Sequence, residues 1–314
     1  MIIKKIRRGH VDWRNFLCST PARDYVFQKE EYVSQLDRAA EYIRKADSII
    51  VGAGAGASAA AGIQYGGKRF TDNFGEFIEK YGGHYMTDMY AAGFYPYPSE
   101  EAKWGYWSKH ALMNRFAPPA LPLYTKLYDV VKSKEYFVLT TNVDHQFYKA
   151  GFDEKRIFAT QGDYGKIQCQ KACHPKTYDA KGLFRKMDEA RKNCLIPSEL
   201  VPKCPVCGGN MAMNLRCDNY FVEDEAWHEA ADRYADFLKQ NKDKKVVLLE
   251  LGVGFNTPII IRFPFEKMVR ENLSYSLIRL NMDEAVVPES FGKRAIGIGG
   301  DMARAITDIR ESVL

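Results

Sequence analysis

The chain has 314 residues, 46% of them hydrophobic and 27% charged, enough apolar material for a sizeable core and a length that suits two domains or one with an insertion. Its 45 Lys and Arg against 40 Asp and Glu leave +5, and no basic run or aromatic-studded basic stripe concentrates the excess, which argues against a nucleic-acid binder. No stretch approaches the roughly 20 apolar residues of a membrane span, and the N-terminal MIIKKIRRGHVDW lacks the apolar core of a signal peptide, so a cytoplasmic chain is expected.

Residues 1 to about 30 show no periodicity and read as an extension. From Glu30 to Asp47, the apolar positions Tyr32, Val33, Leu36, Ala39, Ala40 and Ile43 recur at helical spacing. Ser48 to Val51 is a β-branched run that empties into the small-residue stretch Gly52–Ser58. Residues 64–120, with Phe94-Tyr95-Pro96-Tyr97-Pro98 and Trp104-Gly105-Tyr106-Trp107, read as loops and short helices facing a surface or cleft. Tyr136–Thr140 and Arg156–Ala159 are short strands. Residues 165–215 hold two cysteine pairs and form a small inserted module, and Glu223–Gln240 is a helix. Lys245–Leu251 (KVVLLEL) reads as an apolar strand of the buried, parallel-sheet kind and ends in Gly252-Val253-Gly254. Tyr275–Leu280 and Arg294–Ile298 are further strands, and Asp301 caps a closing helix to Ile309. Strands alternating with helices predict an α/β fold, a Rossmann-like doubly wound parallel sheet. Ligands then sit beyond the C-terminal strand ends, where both Gly-rich turns and Thr141-Asn142-Val143-Asp144 fall.

Small residues from Gly52 to Ser58 permit close approach to a helix N-terminus, a setting for a pyrophosphate; a tight turn with no ligand is the alternative. Seven cysteines is an odd number, and four of them form close pairs, which suits a reducing compartment and a metal site better than disulfides. Cys169 and Cys173 with Cys204 and Cys207 suit a closed tetrahedral zinc with no open position, hence a structural one. Cys18, Cys194 and Cys217 read as packing residues, and His174 as a surface residue. Asn142 and Asp144 at a strand end would read a ribose hydroxyl and a carboxamide, or simply form a turn.

Taken in order, Gly54-Ala55-Gly56-Ala57-Ser58, Gly62-Ile63, Thr141-Asn142-Val143-Asp144, Gln161-Gly162, the two cysteine knuckles, Leu215-Arg216 with Phe221-Val222-Glu223, Gly252-Val253-Gly254, Asn281 and Gly300-Asp301 resemble the layout of the sirtuins from about residue 35 to the C-terminus. That resemblance implies a NAD-binding Rossmann-like domain at 31–164 and 216–314, a small zinc-binding domain at 165–215, and a cleft between them partly faced by 64–120. It places Gly54 to Ser58 on the pyrophosphate, Gln64 and Phe70 at the nicotinamide end, Asn142 on the reacting ribose and Asp144 on the nicotinamide amide. Gly252 and Gly254 would border the phosphate and adenosine side, Asn281 and Asp283 the adenine ribose, and Asp301 and Met302 the adenine edge. Phe221, Val222 and Glu223 stand where the family holds an acyl-lysine peptide, and Arg216 would position the acceptor or form a surface ion pair.

The departures carry as much as the matches. After Gly62-Ile63 the chain runs Gln64-Tyr65-Gly66-Gly67 instead of Pro-Asp-Phe-Arg, Val222 replaces the glycine of Phe-Gly-Glu, and Gln161-Gly162 replaces the catalytic His-Gly. Sirtuin deacylation first expels nicotinamide from C1′ and then needs a histidine to accept a ribose proton. Glutamine can orient a hydroxyl but cannot take its proton near neutral pH, and a missing base costs on the order of 10²–10⁴ in rate. NAD cleavage is therefore kept and deacylation impaired, which favours ADP-ribosyl transfer to an already ionised acceptor. With the 93–98 and 104–109 segments, the chain resembles the macrodomain-linked class M sirtuins. That group implies a protein ADP-ribosyltransferase acting on a lipoyl-carrier protein of the glycine-cleavage H type, with a macrodomain hydrolase as counterpart. The aromatic 93–107 segment is then a docking wall for the carrier or ordinary packing. An NAD-dependent deacylase and a non-catalytic NAD or ADP-ribose sensor are the alternatives.

Overall fold

The structure, a computed structural model, describes residues 21–82 and 86–314. Cys18 and residues 1–20 of the extension lie outside that range. The remainder of the extension carries β1 (Tyr25–Val26).

The main sheet follows from the apolar runs. β2 (Ser48–Ala53), β3 (Glu135–Thr140), β4 (Ile157–Ala159), β8 (Val246–Leu251), β9 (Tyr275–Asn281) and β11 (Ala295–Gly299) form one sheet in the order β11-β9-β8-β2-β3-β4. Every pairing in it is parallel. β2 and β8 are buried at every position, as strands covered by helices on both faces must be. The chain enters the sheet at its centre and grows outward on both sides, so the order reverses between β2 and β8, where such sheets bind ligands. Register makes that point sharp. Ala53 pairs with both Thr140 and Leu251, so the turns after β2, β3 and β8 leave the sheet at one level.

The helices flanking the sheet match their sequence signals. Tyr32–Lys45 buries Leu36, Ala39, Ala40 and Ile43, and Glu225–Gln240 buries Ala230, Ala231 and Tyr234. The closing helix Met302–Val313 starts at Asp301, whose Oδ1 accepts from the Ala303 and Arg304 amides at 2.8 and 3.1 Å. The end of the extension closes a sheet edge, a place where unpaired backbone groups need cover. β1 pairs antiparallel with β10 (Val287–Pro288), and the Gln28 amide bonds the Ala295 carbonyl and the Gly297 N–H of β11.

A second core differs from expectation. Residues 64–120 contain the helices Gly67–Tyr81 and Glu100–Ala111, not mainly loops. Their aromatics pack with the antiparallel sheet of β6 (Thr177–Asp179), β5 (Gly162–Cys169) and β7 (Met211–Leu215) and with the helix Lys181–Ala190. Trp104 and Tyr106 are 0% exposed and Trp107 6%. Of the two readings of 93–107, ordinary packing holds for Trp104, Tyr106 and Trp107, while Phe94 stays 44% exposed. Among the described residues, no helix is long and apolar enough to cross a membrane.

Candidate active site

The Gly-rich turn after β2 and the turn after β8 pack backbone against backbone. Gly56 N–H donates to the Gly252 carbonyl at 3.0 Å, and Gly54 N–H donates to the Leu251 carbonyl at 3.0 Å. A Cβ on Gly56 would sit 2.7 Å from Gly252 Cα, and one on Gly54 2.8 Å from the Gly252 oxygen. These glycines are required by the fold itself, whatever ligand approaches them. The helix Ala55–Ala60 starts here, with Ala55 exposed and Ala57 and Ser58 buried.

The loop after β3 is tied to this turn. Asn142 Nδ2 donates to the Gly54 carbonyl at 2.9 Å, and its own N–H donates to Thr140 Oγ1 at 3.0 Å. Ser58 Oγ donates a short hydrogen bond to Asp144 Oδ2, and the Gln146 N–H donates to Oδ1 at 3.0 Å. Burial pushes the Asp144 carboxyl above its ordinary range despite these two donors. Tyr124, buried, joins the network through its hydroxyl, 3.1 Å from Ser58 Oγ and 3.4 Å from Asn142 Nδ2. Gly54, Ser58, Asn142 and Asp144 are thus one connected group. Tyr124 was missed because its helix, Pro122–Val131, reads as ordinary amphipathic packing.

Gln161 lies between β4 and β5, its Nε2 donating to Thr160 Oγ1 at 3.2 Å. Its carbonyl accepts from the Arg216 N–H at 3.1 Å. Gly162 has φ +97, and a Cβ there would meet the Asn214 oxygen at 1.9 Å, so glycine is obligatory beside Gln161. The Arg216 guanidinium lies over Phe221 at 4.2 Å and Trp227 at 5.5 Å, and bonds Glu223 at 2.7 Å. Gln161, Arg216, Phe221 and Glu223 therefore form one wall, and Arg216 does make the ion pair. Val222 turns inward: its N–H donates to Gln168 Oε1 at 2.9 Å and its carbonyl accepts from Asn214 Nδ2 at 3.1 Å.

On the far side, Asn281 Nδ2 donates to the Val253 carbonyl at 3.2 Å, and its Oδ1 accepts from the Asp283 and Glu284 amides at 3.3 and 3.1 Å. Asp283 is exposed, and a Cβ on Gly254 would lie 2.8 Å from Glu284 Oε2. Gly252, Gly254, Asn281 and Asp283 thus occupy adjoining loops. Two side chains expected on the cofactor belong to the cores. Phe70 is 1% exposed and stacks on Phe74 at 5.7 Å, and Met302 is 3% exposed in the core under the sheet. Gln64 is exposed, with its carbonyl accepting from Arg69 at 2.8 Å. The Asp301 carboxylate caps its helix.

The four paired cysteines converge, with all Sγ atoms within 4.8 Å of one another. Cys169 and Cys207 are 3.7 Å apart and Cys173 and Cys204 3.6 Å. Zn–S bonds of about 2.3 Å in a tetrahedron set sulfurs roughly 3.8 Å apart, so the group fits a structural zinc. Tight turns supply the geometry: Gly208 has φ +69 and Ala172 +48, and Cys204 exchanges backbone bonds with Gly209 and Gly208 at 2.7 and 2.9 Å. Cys194 is buried as expected, but Cys217 is exposed. His174 is not a free surface residue; its Nδ1 lies 3.1 Å from Cys173 Sγ and its Nε2 2.8 Å from the Tyr178 hydroxyl.

No family model matches the chain. It is 37% identical over 279 residues to a protein ADP-ribosyltransferase of Staphylococcus aureus (strain Mu50), which covers 88% of each chain. It is 33% identical over 286 residues to a probable bifunctional ADP-ribose hydrolase/ADP-ribosyltransferase of Fusarium oxysporum f. sp. cubense. That match covers 86% of this chain and 47% of the fungal one, about half its length. Among solved structures, a Sir2 enzyme superimposes with a TM-score of 0.55 at 18% identity, over 89% of this chain and 98% of that one. A Sir2 homolog–NAD complex gives 0.55 at 15% identity over 93% and 100%. At these identities the structural likeness is one of fold.

Proposed function

The chain belongs to the protein ADP-ribosyltransferases, on a sirtuin fold, and from that membership we propose that it cleaves the nicotinamide–ribose bond of NAD and transfers ADP-ribose to a lipoyl-carrier protein of the glycine-cleavage H type. The observation that carries the transfer reading is Gln161. Its side-chain amide donates to the Thr160 hydroxyl and its backbone carbonyl takes the Arg216 N–H, and neither partner is a base. An amide at this point orients a ribose hydroxyl without taking its proton. A carboxylate acceptor needs no deprotonation to capture C1′, so transfer survives where deacylation stalls.

In this reading the turn Gly54–Ser58 approaches the pyrophosphate and Asn142 holds the reacting ribose. Asp144, held by Ser58 and the Gln146 N–H, takes the nicotinamide carboxamide; these contacts fix its orientation before NAD arrives. Gly252, Gly254, Asn281 and Asp283 border the adenosine side. Arg216, braced by Phe221, Trp227 and Glu223, faces the acceptor as a fixed cation. The zinc bound by Cys169, Cys173, Cys204 and Cys207 would hold the β5–β7 sheet, whose strand β5 begins directly after Gln161. A macrodomain hydrolase would remove the mark. The fungal relative's name, which joins hydrolase and transferase in one chain, supports that pairing.

Labelled NAD incubated with the protein and a lipoylated H-type carrier tests the proposal. We expect nicotinamide release with label on the carrier, identified by peptide mass spectrometry. In Gln161→His, acyl-lysine deacylation should rise by about 10²-fold or more as the base returns. Brisk wild-type deacylation with no labelled carrier would refute the transfer reading.

A further inference from the structure

Two of the passages the chain makes between the sheet and the aromatic core near the site converge on one carboxylate. The first crossing runs from Phe116, packed on the aromatic core, to Leu123 under the sheet. The second runs from Ala159 at the end of β4 through Gln161 to Tyr164 in the aromatic core. Asp163 sits on the second. Its Oδ1 accepts from Arg115 Nε at 2.9 Å, next to the first crossing, and from the Gly165 N–H at 2.6 Å. Its Oδ2 is bonded to His145 Nδ1 at 2.9 Å. His145 directly follows the Asn142–Asp144 loop.

The neighbours extend the same arrangement. Gln146, buried, takes the Leu121 N–H at 3.0 Å and donates to the Pro119 carbonyl at 3.1 Å, and Lys149 Nζ donates to the Arg115 and Pro118 carbonyls. Tyr164 N–H donates to the Val143 carbonyl at 3.1 Å. Three residues of one short segment therefore hold both crossings: His145, Gln146 and Lys149.

His145 itself is the unusual member. Its φ is +66, left-handed backbone that glycine adopts freely and a residue with a Cβ does not. A strained conformation persists where the surroundings over-determine it. Here the imidazole lies flat on Tyr148, ring centroids 4.0 Å apart at 11°, with Nδ1 aimed at Asp163.

We propose that Asp163, clamped by Arg115 and His145, is a positioning residue that holds Gln161 in register with the Asn142–Asp144 loop at the crossing between the two cores. The consequence for catalysis rests on the reading of Gln161 given above. The clamp itself does not, since it concerns only how the 160–165 segment is held.

Two variants test it. His145→Gly suits the backbone and removes the imidazole; Asp163→Asn keeps an acceptor oxygen and removes the charge. Amide hydrogen exchange of residues 160–165, read by mass spectrometry with the melting temperature, reports the clamp without any turnover. Losing one charge-assisted bond should speed exchange there by about tenfold or more in both variants. Nicotinamide release should lose about tenfold in kcat, with the NAD KM within about twofold, since misplaced groups act on the reacting centre. His145→Gly should also melt no lower than wild type, because the backbone relaxes. A merely structural histidine would instead lower the melting temperature and leave kcat of the folded protein unchanged. Exchange at 160–165 within about twofold of wild type in both variants would overturn the clamp. Faster exchange with unchanged kcat would overturn its positioning role. Absence of nicotinamide release from the wild type would defeat the functional reading instead, and the exchange comparison would still decide the clamp.

Discussion

Replacing Gly252 by alanine should destabilise the protein far more than replacing Gly254, two residues away. Gly252 has φ +60, and an added Cβ would lie 2.4 Å from Ala57 N, 2.4 Å from Gly56 C and 2.5 Å from Gly56 Cα. All three are backbone atoms of the facing turn, which cannot rotate aside. Restoring ordinary contact near 3.4 Å would separate the turns by about 1 Å and break the 3.0 Å bond from Gly56 N–H to the Gly252 carbonyl. The left-handed backbone costs about 1–2 kcal/mol with a Cβ, the lost bond about 1, and residual overpacking about 1–3. About 4 kcal/mol in all corresponds to a fall in melting temperature on the order of 10 °C for a protein of this size. At Gly254 the nearest atom is Glu284 Oε2 at 2.8 Å, the far end of a side chain that can move at the loss of its bond to the Phe255 N–H. That change should cost about 1 kcal/mol. Urea denaturation of the two variants, without NAD, measures the difference directly. If they unfold within about 1 kcal/mol of each other, the turn-against-turn argument is wrong. The glycine would then serve only the ligand, and the loss would show in NAD affinity alone.

Three other perturbations follow. Cys204→Ser should remove close to one zinc per chain by metal analysis and abolish the near-ultraviolet signal of the buried Trp104, because ligation and folding of that core are linked; retained zinc would contradict the four-cysteine site. Arg279 lies fully buried between Glu250 and Glu266, at 2.7 and 2.9 Å, so Arg279→Met should cost about 3–5 kcal/mol in urea denaturation by leaving two buried carboxylates with only Arg262, 3.9 Å from each, to balance them. At Asp163, burial alone would raise the carboxyl, but the His145 hydrogen bond and the Arg115 charge hold it below its ordinary value of 3.8. A depressed carboxyl contributes stability above the unfolded value that is lost as pH falls through the folded one. Wild type should therefore exceed Asp163→Asn in stability above about pH 4, and the gap should close in stronger acid; a pH-independent gap in denaturation midpoints would contradict this.

The parallel sheet was legible because its strands are buried on both faces and so are written as short, largely apolar runs, Val246–Leu251 most plainly, broken there only by Glu250. The amphipathic helix at Tyr32–Lys45, the Asp301 cap and the zinc cysteines were legible for a similar reason. Each is specified by residue type at short spacing, which is local information. The helices between 64 and 120 were not. Glu100–Ala111 buries Trp104, Tyr106 and Trp107 around its circumference and shows no apolar stripe to read. The core burial of Phe70 and Met302 was not legible either, because an apolar side chain beside a motif suits a core as well as a ligand.

Local residue patterns thus carried the doubly wound sheet and put Gly54, Asn142 and Asp144 at its strand ends. Which groups hold one another there is a matter of packing between distant segments. Gly56 needs its bare backbone because Gly252 lies against it, Val222 faces Gln168 and Asn214, and Asp163 joins Arg115 to His145. These partners are far apart along the chain, and their pairing depends on register and crossing geometry, which no local pattern of residue types encodes.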